Sequence, residues 1–214
     1  MTGADEPTRV IGLQLPMRGL MVARNSPASR VPSHGTELFA TAQALDLVPV
    51  DDRGRTAPVG LRALLVPQRP EEFPGFGREV LSPAPGIVHA VHDGEADHPA
   101  HRGLPSLRYA LTQSRRAAAG WASLAGNHVL IRLGPPQDRV FLALCHLRRG
   151  SIEVVPGETV ETGRLLARCG NSGNSTEPHL HLQLMDHADP ATATPVAFDL
   201  PGGLPRDGGL LGEP

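Results

Sequence analysis

The chain has 214 residues, a 40% apolar content, a formal charge of −2 and only two cysteines. That length suits one domain, or one domain with extensions, and is enough to bury a core. Near-neutral charge removes bulk electrostatics as a reason to expect a nucleic-acid partner, and two cysteines exclude a Cys-based zinc site or a disulfide framework.

The N-terminal M-T-G-A-D-E-P-T-R-V has no basic start followed by an apolar run, so no export signal is visible and a cytoplasmic location is expected. No stretch approaches membrane-spanning length, so no transmembrane segment is expected. Val10 to Leu15 reads as a strand, R-N-S-P-A-S-R as a loop, and V-P-S-H-G-T as a turn holding His34. Ala44 to Val50 is predicted as a short strand containing Asp46, and 51–75 as a surface loop around the apolar run Leu61 to Val66. Residues 79–91 read as strand, tight turn and strand; 127–133 and 139–147 as two strands joined by G-P-P-Q-D. Between them, Leu104 to Leu124 has a helix-like composition and is expected to be one short helical excursion. Residues 154–170 supply two short strands between glycine turns, H-L-H-L-Q-L is expected to close the sheet, and the tail after Leu200 is expected to be loose. With Gly 24 and Pro 22, turns and short strands prevail over long helices, and the fold class is mainly antiparallel β. All the basic residues are arginines, which reads as the coding bias of a GC-rich genome.

The most informative stretch is G-N-S-G-N-S-T-E-P-H-L-H-L, residues 170–182. Side chains two apart on a strand share a face, so His179 and His181 are predicted to enter one cleft together. One imidazole of such a pair can bind a metal while the other handles a proton or a developing negative charge. Strand neighbours face opposite ways, so with His146 in the cleft Cys145 is expected to face the core, which argues against a thiol enzyme. His128 reads as a structural hydrogen-bonding residue near the groove. His89, His92, His98, His101 and His187 read as loop or surface histidines, and Arg102, Arg108, Arg115 and Arg116 as a solvated face.

Several blocks in order, S-H-G-T then A-L-D-L, G-R-E-V-L-S-P-A-P-G-I-V, G-N-H-V-L-I, L-C-H-L-R-R-G-S-I, V-P-G-E-T-V-E-T-G-R-L-L-A-R-C-G-N-S-G-N-S-T and P-H-L-H-L-Q-L, resemble the lysostaphin-type (LytM-like) zinc metalloendopeptidases directed at peptidoglycan. The resemblance implies an antiparallel β-sheet groove, a duplicated hybrid motif, over residues 31–190. Residues 1–30 then form an N-terminal strand and loop extension and 191–214 a tail. It implies one Zn2+ held by His34, Asp46 and His181, with His146 and His179 as the catalytic pair. It also implies hydrolysis of a cell-wall cross-bridge peptide, or a related peptide, by metal-activated water, although such a substrate lies outside the cytoplasm. Three N/O ligands leave zinc a fourth position for water.

The sequence departs from the family pattern in places. The gap from His34 to Asp46 is wider than the usual ligand pairing, though some members with the S-H-G-T lead-in share it. Ala44 and Leu144 stand where aromatics are expected, Leu133 where a histidine is common, and aromatics total only 3%. A rival reading is a metal-dead relative acting as a binding or regulatory module, disfavoured because all five polar residues are present. V-P-G-E-T-V-E-T-G-R-L-L also resembles a biotinyl or lipoyl carrier, but the chain has no lysine to carry the swinging arm. A phosphotransferase-type paired-histidine site would leave Asp46 without a role.

Overall fold

A computed structural model describes residues 10–58, 60, 65–103, 106, 118, 120–135 and 140–213. Its centre is an antiparallel eight-stranded sheet. Numbered in chain order, the strands are β1 (Ile11–Gly12), β2 (Met21–Arg24), β3 (Leu45–Pro49), β4 (Glu79–Leu81), β5 (Gly86–His92), β6 (Asn127–Leu133), β7 (Val140–Leu147), β8 (Thr159–Val160), β9 (Leu165–Arg168), β10 (Leu180–Met185), β11 (Phe198–Asp199) and β12 (Leu210–Leu211). The large sheet runs β12-β2-β3-β10-β7-β6-β5-β8, with β4-β9 and β1-β11 as separate pairs. The mainly β architecture expected from the sequence is observed. A five-residue helix, α1 (Trp121–Ala125), lies at the end of the expected helical excursion. Residues 104–105, 107–117 and 119 of that excursion, with Arg108, Arg115 and Arg116, lie outside the described residues, as do 1–9, 61–64 and most of the G-P-P-Q-D turn.

Alternation fixes the two faces of the sheet. Leu45 and Leu47 of β3, Leu142 and Leu144 of β7, and Leu180, Leu182 and Leu184 of β10 all enter the main core. Burying each such leucine contributes about 1.5–3 kcal/mol, which holds the register of the three strands. The opposite face carries a smaller cluster of Ala143, Cys145 and Met185 with Leu130 and Phe141. Above it, alternation leaves the polar residues Asp46, His181 and Gln183 facing away from the leucine core.

Two expectations are corrected. H-L-H-L-Q-L does not close the sheet: β10 is central, flanked by β3 and β7. The tail after Leu200 is not loose. Its strand β12 pairs with β2, Ser26 N–H donates to Asp207 Oδ1 at 2.7 Å, and Ser26 Oγ–H to the Pro205 carbonyl at 2.6 Å. Neither two-residue β12 nor four-residue β2 offers enough alternation to be read from sequence.

Candidate metal centre

Asp46 on β3 and His181 on β10 are directly paired across the two strands, which brings their side chains together on the face opposite the leucines. His34 arrives from the turn before a 3-10 segment, Leu38–Gln43, that forms one wall of the site. His34 Nε2 lies 3.2 Å and His181 Nδ1 2.9 Å from the same oxygen, Asp46 Oδ1. One donor atom from each of the three residues can be chosen so that all lie within 4.8 Å of one another. These three are the residues proposed as ligands from the resemblance, and the fold brings them to one point.

Hydrogen-bond accounting shows what that point requires. Ser33 Oγ–H donates to the Ala44 carbonyl at 2.7 Å, so toward His34 Nδ1, 3.0 Å away, it can only accept. His34 Nδ1 therefore carries the hydrogen, and in the neutral ring Nε2 presents a lone pair. Gln183 is fixed the same way: its Nε2 donates to the Phe39 carbonyl at 2.9 Å, which turns Oε1 toward His181 Nε2, also at 2.9 Å. His181 Nε2 is then the N–H, and Nδ1 offers its lone pair to the site. Asn25 Nδ2 donates to Asp46 Oδ2 at 2.7 Å, which leaves Oδ1 facing inward. Three acceptor atoms thus converge, and acceptors repel unless a cation lies between them. A metal ion satisfies all three; the residues fit it. Asn25, Ser33 and Gln183 went unnoticed in the sequence. Gln183 alone had a signal, two residues beyond His181 on the same strand face.

His146 and His179 stand beside this cluster, with ring centroids 4.7 Å apart. His179 Nδ1–H donates to the Glu177 carbonyl at 2.7 Å, and His146 Nδ1–H to the Ser172 carbonyl at 2.9 Å. Both rings therefore turn Nε2 to the cleft, and that of His179 is 3.6 Å from Asp46 Oδ1. The G-N-S-G turn explains part of this placement. Gly173 and Gly126 have positive φ and cross so closely that a Cβ on Gly126 would meet Gly173 N at 2.6 Å. That crossing seats Ser172, whose Oγ–H donates to the Leu147 carbonyl and whose own carbonyl holds His146.

The expected opposition of Cys145 and His146 does not hold. Asn127 pairs with Leu147 but Val129 with Leu144, so β7 holds one residue more than β6 between these pairs. The bulge is accommodated at His146, whose φ of 62° is left-handed. Leu144 and Leu147 both reach the core, and the intervening Cys145 and His146 both border the cleft. Cys145 is no nucleophile all the same. Burial, reinforced by the Asp46 charge, pushes its thiol far up and keeps it protonated.

The electrostatics separate the two histidines. Burial opposes the charge of Asp46, but His34 and His179 outweigh it and hold the carboxyl well below its ordinary value. Burial also opposes charge on His179, yet the Asp46 carboxylate beside it raises its pKa. His146 is pushed well below the ordinary value by burial and by His179 and His181. His128 lies apart from the cluster; its Nδ1 is 2.7 Å from the Gly126 carbonyl, and its ring lies edge-on to Trp121.

The five residues border one cavity of ≈ 500 Å³. The sequence pattern of peptidase family M23 matches residues 109–193, a span that includes His146, His179 and His181. The resemblance to lysostaphin-type peptidases read from the motifs is borne out by this match. A Haemophilus influenzae protein named as an uncharacterized metalloprotease is 28% identical over 178 residues, 83% of this chain and 35% of that protein. The chain thus spans about a third of the length of that curated relative. The lysostaphin catalytic domain of Staphylococcus simulans aligns over 75% of this chain and 80% of its own, with 14% identity and a TM-score of 0.40. Helicobacter pylori Csd3 aligns over 88% of this chain and 34% of its own, with 13% identity and a TM-score of 0.42.

Proposed function

We propose that the chain is a zinc-dependent endopeptidase that cuts peptide bonds in peptidoglycan cross-bridges or a related peptide, acting outside the cytoplasm when the substrate is cell wall. The observation that carries this reading is the convergence of His34 Nε2, Asp46 Oδ1 and His181 Nδ1, each with its other polar atom already engaged. Two imidazoles and one carboxylate suit zinc and leave it an open position. The peptidoglycan part rests on the resemblance to lysostaphin-type peptidases.

Bound zinc would polarise the scissile carbonyl and bring the pKa of its water close to neutrality. The remaining work falls to the two histidines. His146, kept neutral by burial, presents the Nε2 lone pair as proton acceptor. His179, whose Nε2 faces the same point 3.6 Å from Asp46 Oδ1, is placed to donate to the carbonyl oxygen as negative charge gathers there. The backbone carbonyls of Ser172 and Glu177 hold both rings in orientation through Nδ1–H.

Metal analysis of the purified chain beside His181→Ala tests the reading. We expect about one zinc per native chain, largely lost in the variant, since two remaining ligands hold zinc poorly. His146→Ala and His179→Ala should keep the metal and lose hydrolysis. A native chain that takes up no zinc from a replete buffer would sink the proposal.

A further inference from the structure

We infer that the segment joining His34 to Asp46 builds an apolar subsite beside the metal, so that the peptide accepted carries a bulky, uncharged apolar side chain next to the scissile bond. The inference rests on the metallopeptidase reading and deepens it to a substrate class.

Leu38 borders the cavity with 62% of its surface exposed, and Phe39 follows it on the same wall. Together with Trp121 and Leu124 across the cleft they give the cavity an apolar lining that an apolar side chain can cover. The backbone is held to keep them in place. Phe39 and Ala40 both have φ of 58°, a left-handed conformation that non-glycine residues adopt only under constraint. The constraint is visible: Thr41 Oγ1–H donates to the Leu38 carbonyl at 2.9 Å and Gln183 Nε2–H to the Phe39 carbonyl at 2.9 Å. Gln183 also orients His181, so the apolar wall and the metal centre share one anchor.

Trp121, Leu124 and Ala125 of α1 border the same cavity. Trp121 is braced by His128, whose ring centroid lies 4.4 Å from its own. Charge points the same way. Among the described residues lining the cavity, the ionisable groups are Asp46, Cys145 and the four histidines His34, His146, His179 and His181. Apart from the buried thiol, these are the metal and proton-transfer groups. Among the described residues, no arginine or glutamate lines the cavity to pair with a charged substrate side chain. A peptide of glycine alone would leave the Leu38, Phe39 and Trp121 surfaces wet.

Amino-acid hydroxamates, which bind zinc through the hydroxamate and present one side chain, provide the test. Titration calorimetry on the zinc-loaded chain should show leucine hydroxamate binding about 10- to 100-fold more tightly than glycine hydroxamate, the gain expected from burying one leucine side chain. Aspartate hydroxamate should bind no better than the glycine compound. Leu38→Ser, a change at an exposed position, should erase most of the leucine advantage while leaving glycine hydroxamate affinity unchanged. Equal affinity for the leucine and glycine compounds in the native chain overturns the subsite while leaving the metal centre standing. Failure of both to bind a chain that holds zinc overturns the open metal site itself, and the subsite with it.

Discussion

Gln183→Leu separates a positioned metal centre from a chance meeting of three polar groups. Gln183 is fully buried and makes two bonds of 2.9 Å, accepting from His181 Nε2–H and donating to the Phe39 carbonyl. Leucine keeps the volume and removes both. The buried His181 N–H then loses its acceptor, a cost of about 1–3 kcal/mol, or the ring moves its proton to Nδ1 and ceases to be a ligand there. Either route weakens the metal. Loss of such an outer partner typically costs 10- to 100-fold in affinity, about 1.4–2.7 kcal/mol. The assay is competition for zinc against a chelator of known affinity, with a thermal melt of each metal-free chain alongside. Gln183→Glu is the control that gives the argument its edge. A carboxylate still accepts from His181 Nε2–H, so metal affinity should be kept, but it cannot donate to the Phe39 carbonyl and sets a buried charge against it, so stability should fall by more than about 1–3 kcal/mol, the cost of an unpaired neutral group. Native affinity in the leucine variant, or equal loss in both, refutes the claim that Gln183 sets the tautomer.

Two further outcomes are expected. Burial holds His128 at a pKa of about 4 against an ordinary 6.5, so the unfolded chain binds the extra proton between those values. Stability from this residue is complete above pH 6.5 and lost as pH falls toward 4; His128→Gln should reduce the decline in unfolding free energy, measured by urea titration, by roughly 2–3 kcal/mol at pH 4.5, and an unchanged pH profile would remove His128 as its cause. Ending the chain after Leu204 removes β12, the Asp207 and Pro205 acceptors of Ser26, and the Gly209 carbonyl that accepts from Ala23 N–H. With each buried group left unpaired costing about 1–3 kcal/mol, the melting temperature should drop by several degrees; an unchanged melt would show the tail to be as loose as the sequence suggests.

Much of the sheet was legible because leucine alternation in β3, β7 and β10 is strong enough to reveal both strand and face. The same period put His179 and His181 on one side of the chain. What alternation does not encode is order across the sheet, and β10 lies in the middle because β3, far upstream, pairs with its free edge. The residues that orient the ligands were harder to see. Asn25 sits in a segment read as loop and reaches Asp46 across 21 residues of sequence, with no local pattern to announce it. The resemblance supplied the five polar positions, but not the hydrogen-bond accounting that gives three of them a common need for a cation.

The bulge at His146 illustrates why the site itself resists a periodic reading. A period of two assigns Cys145 and His146 to opposite faces, and an inserted residue in one strand cancels that assignment locally. The insertion is stable because Leu144 on one side and Leu147 on the other are both locked in the core, so the strain has nowhere to relax. The described residues contain four non-glycine positions with left-handed backbone, Asn25, Phe39, Ala40 and His146. Three of them border the cavity, and the fourth adjoins Phe39. Local rules are broken around the candidate metal centre, and the neighbouring leucine-rich core over-determines the backbone enough to hold the exceptions. Relaxing one of them therefore discriminates between accident and purpose: a backbone that returned to regular pairing at His146 would turn its imidazole toward the leucines and leave the cleft without its proposed proton acceptor.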